Sequence, residues 1–245
     1  MDVQEQVSVI FEPHPLDQNH CFNLPENTTE IFISVDVDVQ VNGLLFEKSG
    51  NKDLMIYFQG NAKNLQNFID NHRMVLDWGF NVVVTDYRSF GKSNGKLTGE
   101  HAFYLDAEKI YEYALSLGYQ AENIILYGYS MGTSAATYLA ATKKAKAVIL
   151  ESAYSSIPEI QWVGNRTPAF ELNSAEKAVA VVIPTLLIHG DLDEVITLDH
   201  SQRIFNRLKL TMNKEIIVIQ GGGHDDLKQR PEYANYIREF INKIS

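Results

Sequence analysis

A short turn, Gly128-Tyr129-Ser130-Met131-Gly132, joins two segments of opposite character. Residues 124–127 before it are continuously apolar, which predicts a strand covered on both faces. Residues 134–141 after it are mostly small, which predicts a helix packed closely on a sheet. A strand that turns into a helix this tightly tolerates only glycine-sized residues two positions away from its central residue, and it restricts the chain to an α/β architecture.

The rest of the chain alternates between strand and helix patterns. Further buried strands are predicted at 54–58, 82–84, 147–150, 184–188 and 215–219, and further helices at 65–78, 100–117, 197–208 and 232–244. This alternation is typical of a mostly parallel, doubly wound sheet.

The leading part of the chain differs from this pattern. Residues 31–41 alternate between apolar and polar, and Asn42-Gly43 predicts a hairpin turn into 44–46, so antiparallel strands should lead the sheet. Within residues 1–30, an edge strand is predicted at 7–11, followed by irregular wrapping. We expect one domain over 1–245, with 152–183 as a short lid or loop insertion.

Composition restricts the partners. The chain has 245 residues, a net charge of -10 and 45% hydrophobic residues, which is typical of a globular protein that binds neither nucleic acid nor anionic membrane surfaces. Cys21 is its only cysteine, and no apolar run approaches the length of a membrane-spanning helix. We therefore expect a cytoplasmic protein without stable membrane insertion, and the sequence leaves its oligomeric state open.

The turn also suggests chemistry, because a serine between glycines at a strand-to-helix junction is typical of a nucleophile elbow. Ser130 would then need a histidine base and an orienting carboxylate, both placed just after strand ends. His224 follows three glycines and the strand at 215–219, and it is the predicted base. His189, at the end of the strand before it, is the competing candidate.

The predicted acid is Asp193, which follows the strand at 184–188. Glu151 follows the strand at 147–150 and is a rival, since a carboxylate there can also reach the base. The order serine, aspartate, histidine is the one that the elbow motif requires. One oxyanion donor is expected at the Met131 N–H and the other at Ala62, with Asn61 as the alternative. No group of residues has metal-ligand spacing, so no metal or cofactor is expected.

Together these segments resemble the α/β-hydrolase superfamily, in its compact branch near the serine aminopeptidases and monoglyceride-lipase-like proteins. The matching segments lie at 59–62, 86–93, 128–132, 150–152, 189–193 and 223–224. The resemblance places the nucleophile on Ser130, the acid on Asp193 and the base on His224. The chain departs from the family at Gln59, where a histidine is usual before the glycine of the oxyanion loop.

These assignments predict a serine hydrolase that transfers an acyl group from a small-molecule substrate to water. Carboxylic esters and thioesters are the favoured substrates, and Tyr154 and Trp162 are candidates for contact with an apolar acyl group. An amidase or aminopeptidase with the same triad remains an alternative, in which Glu151, Glu159 or Glu171 would hold a free amine. A noncatalytic binding protein on this fold is the other alternative.

Overall fold

A computed structural model describes residues 1–61 and 64–245 of the chain. The strands along the described chain are β1 (Thr28–Asp36), β2 (Val39–Phe46), β3 (Leu54–Phe58), β4 (Asn81–Thr85), β5 (Ile124–Tyr129), β6 (Ala147–Glu151), β7 (Thr185–Gly190) and β8 (Lys214–Ile219). The helices are α1 (Val3–Ile10), α2 (Leu65–Asn71), α3 (Glu100–Ser116), α4 (Gly132–Thr142), α5 (Ser174–Lys177), α6 (Leu198–Arg207) and α7 (Tyr233–Ile244).

All eight strands belong to one sheet, in the order β1-β2-β4-β3-β5-β6-β7-β8. The β1–β2 and β2–β4 pairs are antiparallel, and every pair from β4 to β8 is parallel. β3 to β7 are buried along their whole length, as continuous apolar runs require in a sheet covered on both faces. The predicted α/β-hydrolase fold, mostly parallel with antiparallel leading strands, is confirmed.

The hairpin between β1 and β2 turns earlier than Asn42-Gly43, so the predicted turn is wrong. The chain reverses at Asp38, whose φ is +56°, and both Asn42 and Gly43 lie inside β2. The Asn42 side chain is buried and donates to Glu30 Oε1 at 2.8 Å. A Cβ on Gly43 would lie 2.9 Å from the Val84 carbonyl oxygen, so this glycine permits close packing within the sheet.

The edge strand predicted at 7–11 is also wrong, because this segment belongs to α1. Asp2 and Glu5 form a capping box at its start: the Glu5 N–H donates to Asp2 Oδ1 at 2.9 Å, and the Asp2 N–H donates to Glu5 Oε2 at 2.7 Å. Val7 and Ile10 are buried three residues apart, which is helical spacing.

Residues 152–183, expected to form a lid or loop, consist of α5, three short 3₁₀ turns and irregular chain. Phe170 and Leu172 from this segment are fully buried in the core. Among the described residues, we find no helix with the length and apolar character needed to span a bilayer.

Candidate active site

Ser130 lies at the tight turn between β5 and α4, with a left-handed φ of +50°. A Cβ on Gly128 would lie 2.5 Å from Thr133 Cα, and one on Gly132 would lie 2.1 Å from the Phe58 carbonyl oxygen. Glycine is therefore required on each side of the turn. The Ser130 N–H donates to the Glu151 carbonyl oxygen at 2.9 Å, which fixes the turn against the end of β6. This geometry is that of a nucleophile elbow.

The structure brings Ser130, His224 and Asp193 together. His224 Nε2 lies 2.9 Å from Ser130 Oγ, and His224 Nδ1 lies 2.7 Å from Asp193 Oδ2. The other oxygen of Asp193 accepts N–H groups from Val195 and Ile196, at 3.0 and 2.8 Å. The carboxylate is thus held in a fixed orientation behind the imidazole, as a serine nucleophile requires.

Two opposing effects act on the pKa of Asp193. Burial alone would raise that pKa, but hydrogen bonds from His189 and His224 outweigh it and hold the pKa well below its usual range. Asp193 is therefore ionised at neutral pH and can stabilise an imidazolium on His224.

The competing base His189 is fully buried, and its ring nitrogens are engaged by other residues. Its Nδ1 lies 2.7 Å from Ser201 Oγ, and its Nε2 lies 2.8 Å from the Ile196 carbonyl oxygen and 3.3 Å from Asp193 Oδ2. His189 therefore supports the Asp193 carboxylate, and among the described residues it forms no hydrogen bond with Ser130.

The rival acid Glu151 is also engaged elsewhere. Both its carboxylate oxygens lie 2.8 Å from Lys228 Nζ, and it accepts a hydrogen bond from Tyr127 Oη. No local pattern predicts this pairing, because Lys228 lies 77 positions further along the chain.

Only one of the two expected oxyanion donors lies among the described residues. Met131 is the N-cap residue of α4, and within the described part of the chain its N–H has no hydrogen-bond acceptor. Ala62 lies outside the described residues, so the second donor stays a prediction. The loop before it does approach Ser130, since a Cβ on Gly60 would lie 3.1 Å from Ser130 Cβ. Gln59 is buried, and its Nε2 donates to the Thr85 carbonyl oxygen at 2.9 Å.

A cavity of about 500 Å³ opens beside Ser130 and His224. Both sequence-predicted substrate contacts line it, with Tyr154 buried and Trp162 about half exposed at 49%. Tyr154 Oη also donates to the Met131 carbonyl oxygen at 3.3 Å. The apolar lining residues are Ile10, Met131, Tyr154, Ile157, Ile160, Trp162, Val163, Val195 and Ile196, and the polar ones besides Ser130, Tyr129 and His224 are Asn61, Asn67, Asn71, His72, Asp225 and Gln229.

Sequence reasoning missed the contributions of two helices to this cavity. Ile10 reaches it from α1, and Asn67 and Asn71 reach it from α2. Asn67 and Asn71 are four residues apart in the helix pattern, which places them on one face and would have been a usable signal. Ile10 lies three residues after Val7, which is helical spacing, but a strand is predicted here from the sequence, so the position of Ile10 at the cavity is not anticipated.

Comparison with known proteins agrees with this fold. Residues 101–245 match the sequence profile of the family described as phospholipase/carboxylesterase. Human alpha/beta hydrolase domain-containing protein 17B is 31% identical over 166 residues, which cover 66% of this chain and 57% of that protein. The Caenorhabditis elegans alpha/beta hydrolase domain-containing protein aho-3 is 33% identical over 197 residues, covering 77% and 57%. The chain thus spans only 57% of the length of both relatives.

Solved structures share the architecture at lower sequence identity. The Pyrococcus furiosus esterase Pf2001 superposes with a TM-score of 0.73 at 19% identity, covering 94% of this chain and 97% of that one. A membrane phospholipase A, described as a bacterial virulence factor, gives 0.67 at 18% identity and covers 89% and 87%. At these identities the likeness concerns the fold.

Proposed function

Since the chain belongs to the phospholipase/carboxylesterase family of α/β-hydrolases, we propose that it is a serine hydrolase that cleaves carboxylic esters or thioesters through an acyl-enzyme on Ser130. The observation that carries this proposal is the position of the His224 imidazole, 2.9 Å from Ser130 Oγ on one side and 2.7 Å from Asp193 Oδ2 on the other. This is the contact order that nucleophilic catalysis by serine needs.

The proposed reaction has two halves. His224 Nε2 takes the Ser130 proton as Oγ attacks the carbonyl carbon, and Asp193 stabilises the imidazolium that forms. The oxyanion accepts the Met131 N–H and, as predicted from the sequence, the Ala62 N–H. His224 then protonates the leaving group, and in the second half it activates the water that hydrolyses the acyl ester on Ser130.

The apolar part of the cavity supports an acyl group as the part of the substrate that stays on the enzyme. Tyr154 and Trp162 line this part together with Ile157 and Ile160. An apolar acyl chain placed here would bury its surface against these side chains.

The test combines turnover with labelling. The recombinant chain is assayed with p-nitrophenyl acetate, butyrate and octanoate, and it is treated with a fluorophosphonate probe followed by peptide mass spectrometry. We expect turnover and a single label on Ser130. Ser130→Ala should lose both, with kcat reduced by about 10⁴-fold or more. Amino-acid p-nitroanilides in the same series would detect an amidase or aminopeptidase.

Ser155 provides a matched control, because its Oγ lies 2.7 Å from His200 Nδ1 but is fully buried. Ser155→Ala should keep the label and the turnover. If a folded wild-type chain takes no label and cleaves no ester, the noncatalytic alternative replaces this proposal.

A further inference from the structure

The cavity beside Ser130 has two walls that come from opposite faces of the sheet. Alternate residues of β5 belong to two separate core clusters, with Leu126 in one and Tyr127 and Tyr129 in the other. Met131 and Tyr154 belong to the cluster of the Leu126 face. We call Met131, Tyr154, Ile157, Ile160 and Val163 the apolar wall, which is therefore an extension of one core. Ser130 lines the same cavity.

The wall on the Tyr129 face is polar. Asn67 and Asn71 line it from α2, and Asn71 Nδ2 donates to Asn67 Oδ1 at 2.9 Å. Gln229 and Asp225 line it from the segment after His224, and Asp225 accepts a hydrogen bond from Tyr129 Oη. We call Asn67, Asn71, His72, Asp225 and Gln229 the polar wall.

The polar wall carries no positive charge among the described residues that line it. His72 is buried, and this burial, together with the nearby Lys228 charge, lowers its pKa to about 4, so the ring is neutral at neutral pH. Its Nδ1 has no partner in the described chain. The ammonium of Lys228 itself is buried against Glu151 and lies over the Tyr129 ring, 3.4 Å from its centroid.

The position of His224 tells which half of a substrate meets the polar wall. Its ring lies 5.6 Å from the Tyr129 ring, and Asp225 follows it directly in the chain. In the proposed reaction His224 protonates the leaving group, so that group must lie on the His224 side of Ser130. The acyl group is then left to the apolar wall.

We propose that the polar wall is a leaving-group subsite that binds an uncharged, hydroxyl-bearing alcohol and disfavours one that carries a phosphate. Carboxamides on Asn67, Asn71 and Gln229 donate and accept hydrogen bonds without adding charge, which suits hydroxyl groups. The Asp225 carboxylate would repel a phosphate, and the net charge of -10 adds to this repulsion. This inference rests on the proposed esterase function.

The test uses butyrate esters that share one acyl group and differ only in the alcohol. They are 1-butyryl-glycerol, 1-butyryl-glycerol 3-phosphate and propyl butyrate, with p-nitrophenyl butyrate as the reference for acyl transfer. We expect kcat/KM for the glycerol ester to exceed kcat/KM for each of the other two alkyl esters by about tenfold. One or two hydrogen bonds, or one charge repulsion, produce a difference of this size.

Two variants at the exposed Asn71 separate the effects of hydrogen bonding and charge. Asn71→Leu should lower kcat/KM for the glycerol ester towards the value for propyl butyrate. Asn71→Lys should raise kcat/KM for the phosphate ester about tenfold relative to kcat/KM for the glycerol ester, because it places a cation beside the phosphate. Asn235→Lys is the matched control: it makes the same chemical change on an exposed residue of α7 that does not line the cavity. It should leave the ratio unchanged.

Three results would count against these proposals. If the wild-type chain cleaves the phosphate ester as well as the glycerol ester, the subsite is refuted. The same holds if Asn71→Lys and Asn235→Lys alter the ratio equally, since the effect would then come from net charge. If the wild-type chain cleaves neither the alkyl esters nor p-nitrophenyl butyrate, the esterase function itself is refuted, and the proposed subsite is refuted with it.

Discussion

The ammonium nitrogen of Lys228 lies 2.8 Å from each carboxylate oxygen of Glu151, and both side chains are almost completely buried. Lys228 lies four residues after His224, and the carbonyl oxygen of Glu151 accepts the Ser130 N–H. This ion pair therefore joins the segment that follows the proposed base to the strand whose last residue accepts the Ser130 N–H. It couples the stability of the fold to the geometry of the site.

Lys228→Met should destabilise the protein strongly. The substitution leaves the Glu151 carboxylate buried without its cation, and breaking a buried pair in this way costs about 3–5 kcal/mol. Equilibrium unfolding in urea at pH 7 measures the change. The exposed pair between Lys109 and Glu112 is the control, and Lys109→Met should leave the unfolding free energy nearly unchanged.

A double variant tests the reason for this loss. Removing both charges, as in Lys228→Met with Glu151→Gln, eliminates the uncompensated carboxylate, so the double variant should be more stable than Lys228→Met alone. Equal stability of the two would show that lost packing, and not the buried charge, is the cause.

Asp86 should make stability fall as the pH rises. Burial raises the pKa of this carboxyl to about 8, from 3.8 in an ordinary environment, so the folded chain keeps a proton that the unfolded chain has lost. The stabilising contribution is complete below about pH 4, and it decreases by about 1.4 kcal/mol for each pH unit until about pH 8.

Asp86→Asn isolates this contribution, because asparagine mimics the neutral carboxyl in shape. The unfolding free energy of Asp86→Asn relative to the wild-type chain should therefore increase from pH 5 to pH 8. Equilibrium unfolding in urea at intervals of one pH unit measures this difference. A constant difference across this range would mean that the folded chain has already lost the Asp86 proton at pH 5, so that burial does not raise the pKa of this carboxyl as proposed.

The parts of the fold that the sequence predicted correctly depend on local signals. β3 to β7 are short apolar runs, and the turn at Ser130 is marked by two glycines at positions where a Cβ would collide with the backbone. Ser130, Asp193 and His224 could be chosen because parallel strands end at one edge of a sheet. Their proximity follows from topology once the strand order is right.

The incorrect predictions came from signals that have two physical causes. Asn-Gly favours a hairpin turn, yet Gly43 serves the close approach of Val84 within the sheet. Val7 and Ile10 suit a helix as well as irregular strand pairing, and the capping box at Asp2 decided between them. The partner of Lys228 is set only by tertiary packing, so no local pattern predicts it.

Gly190→Ala should destabilise the fold next to the loop that precedes His224. A Cβ at Gly190 would lie 2.2 Å from the Gly222 carbonyl oxygen, and this backbone atom cannot move without displacing the loop before His224. We expect a loss of about 1–3 kcal/mol in unfolding free energy, the usual cost of overpacking. Gly223→Ala is the control, because the nearest atom to its Cβ, Asp226 Oδ1, would be 3.5 Å away. Equal losses in the two variants would contradict the steric explanation.

Trp162→Ala should weaken the cleavage of long acyl esters more than that of short ones. Trp162 lines the cavity and is 49% exposed, so a long acyl chain can cover part of its ring while an acetyl group falls short of it. Covering about 50 Å² of apolar surface contributes about 1 kcal/mol, which corresponds to a loss of roughly fivefold to tenfold in kcat/KM. The measurement compares p-nitrophenyl acetate with p-nitrophenyl octanoate.

Met212 is a control for this comparison, because it is 92% exposed and does not line the cavity. Met212→Ala should change neither ester. If Trp162→Ala lowers acetate and octanoate turnover by the same factor, the ring acts on the fold of the segment around it and not on the acyl chain. A loss confined to octanoate would instead place the acyl group between Trp162 and Ser130, on the apolar side of the cavity, and leave the polar wall to the alcohol.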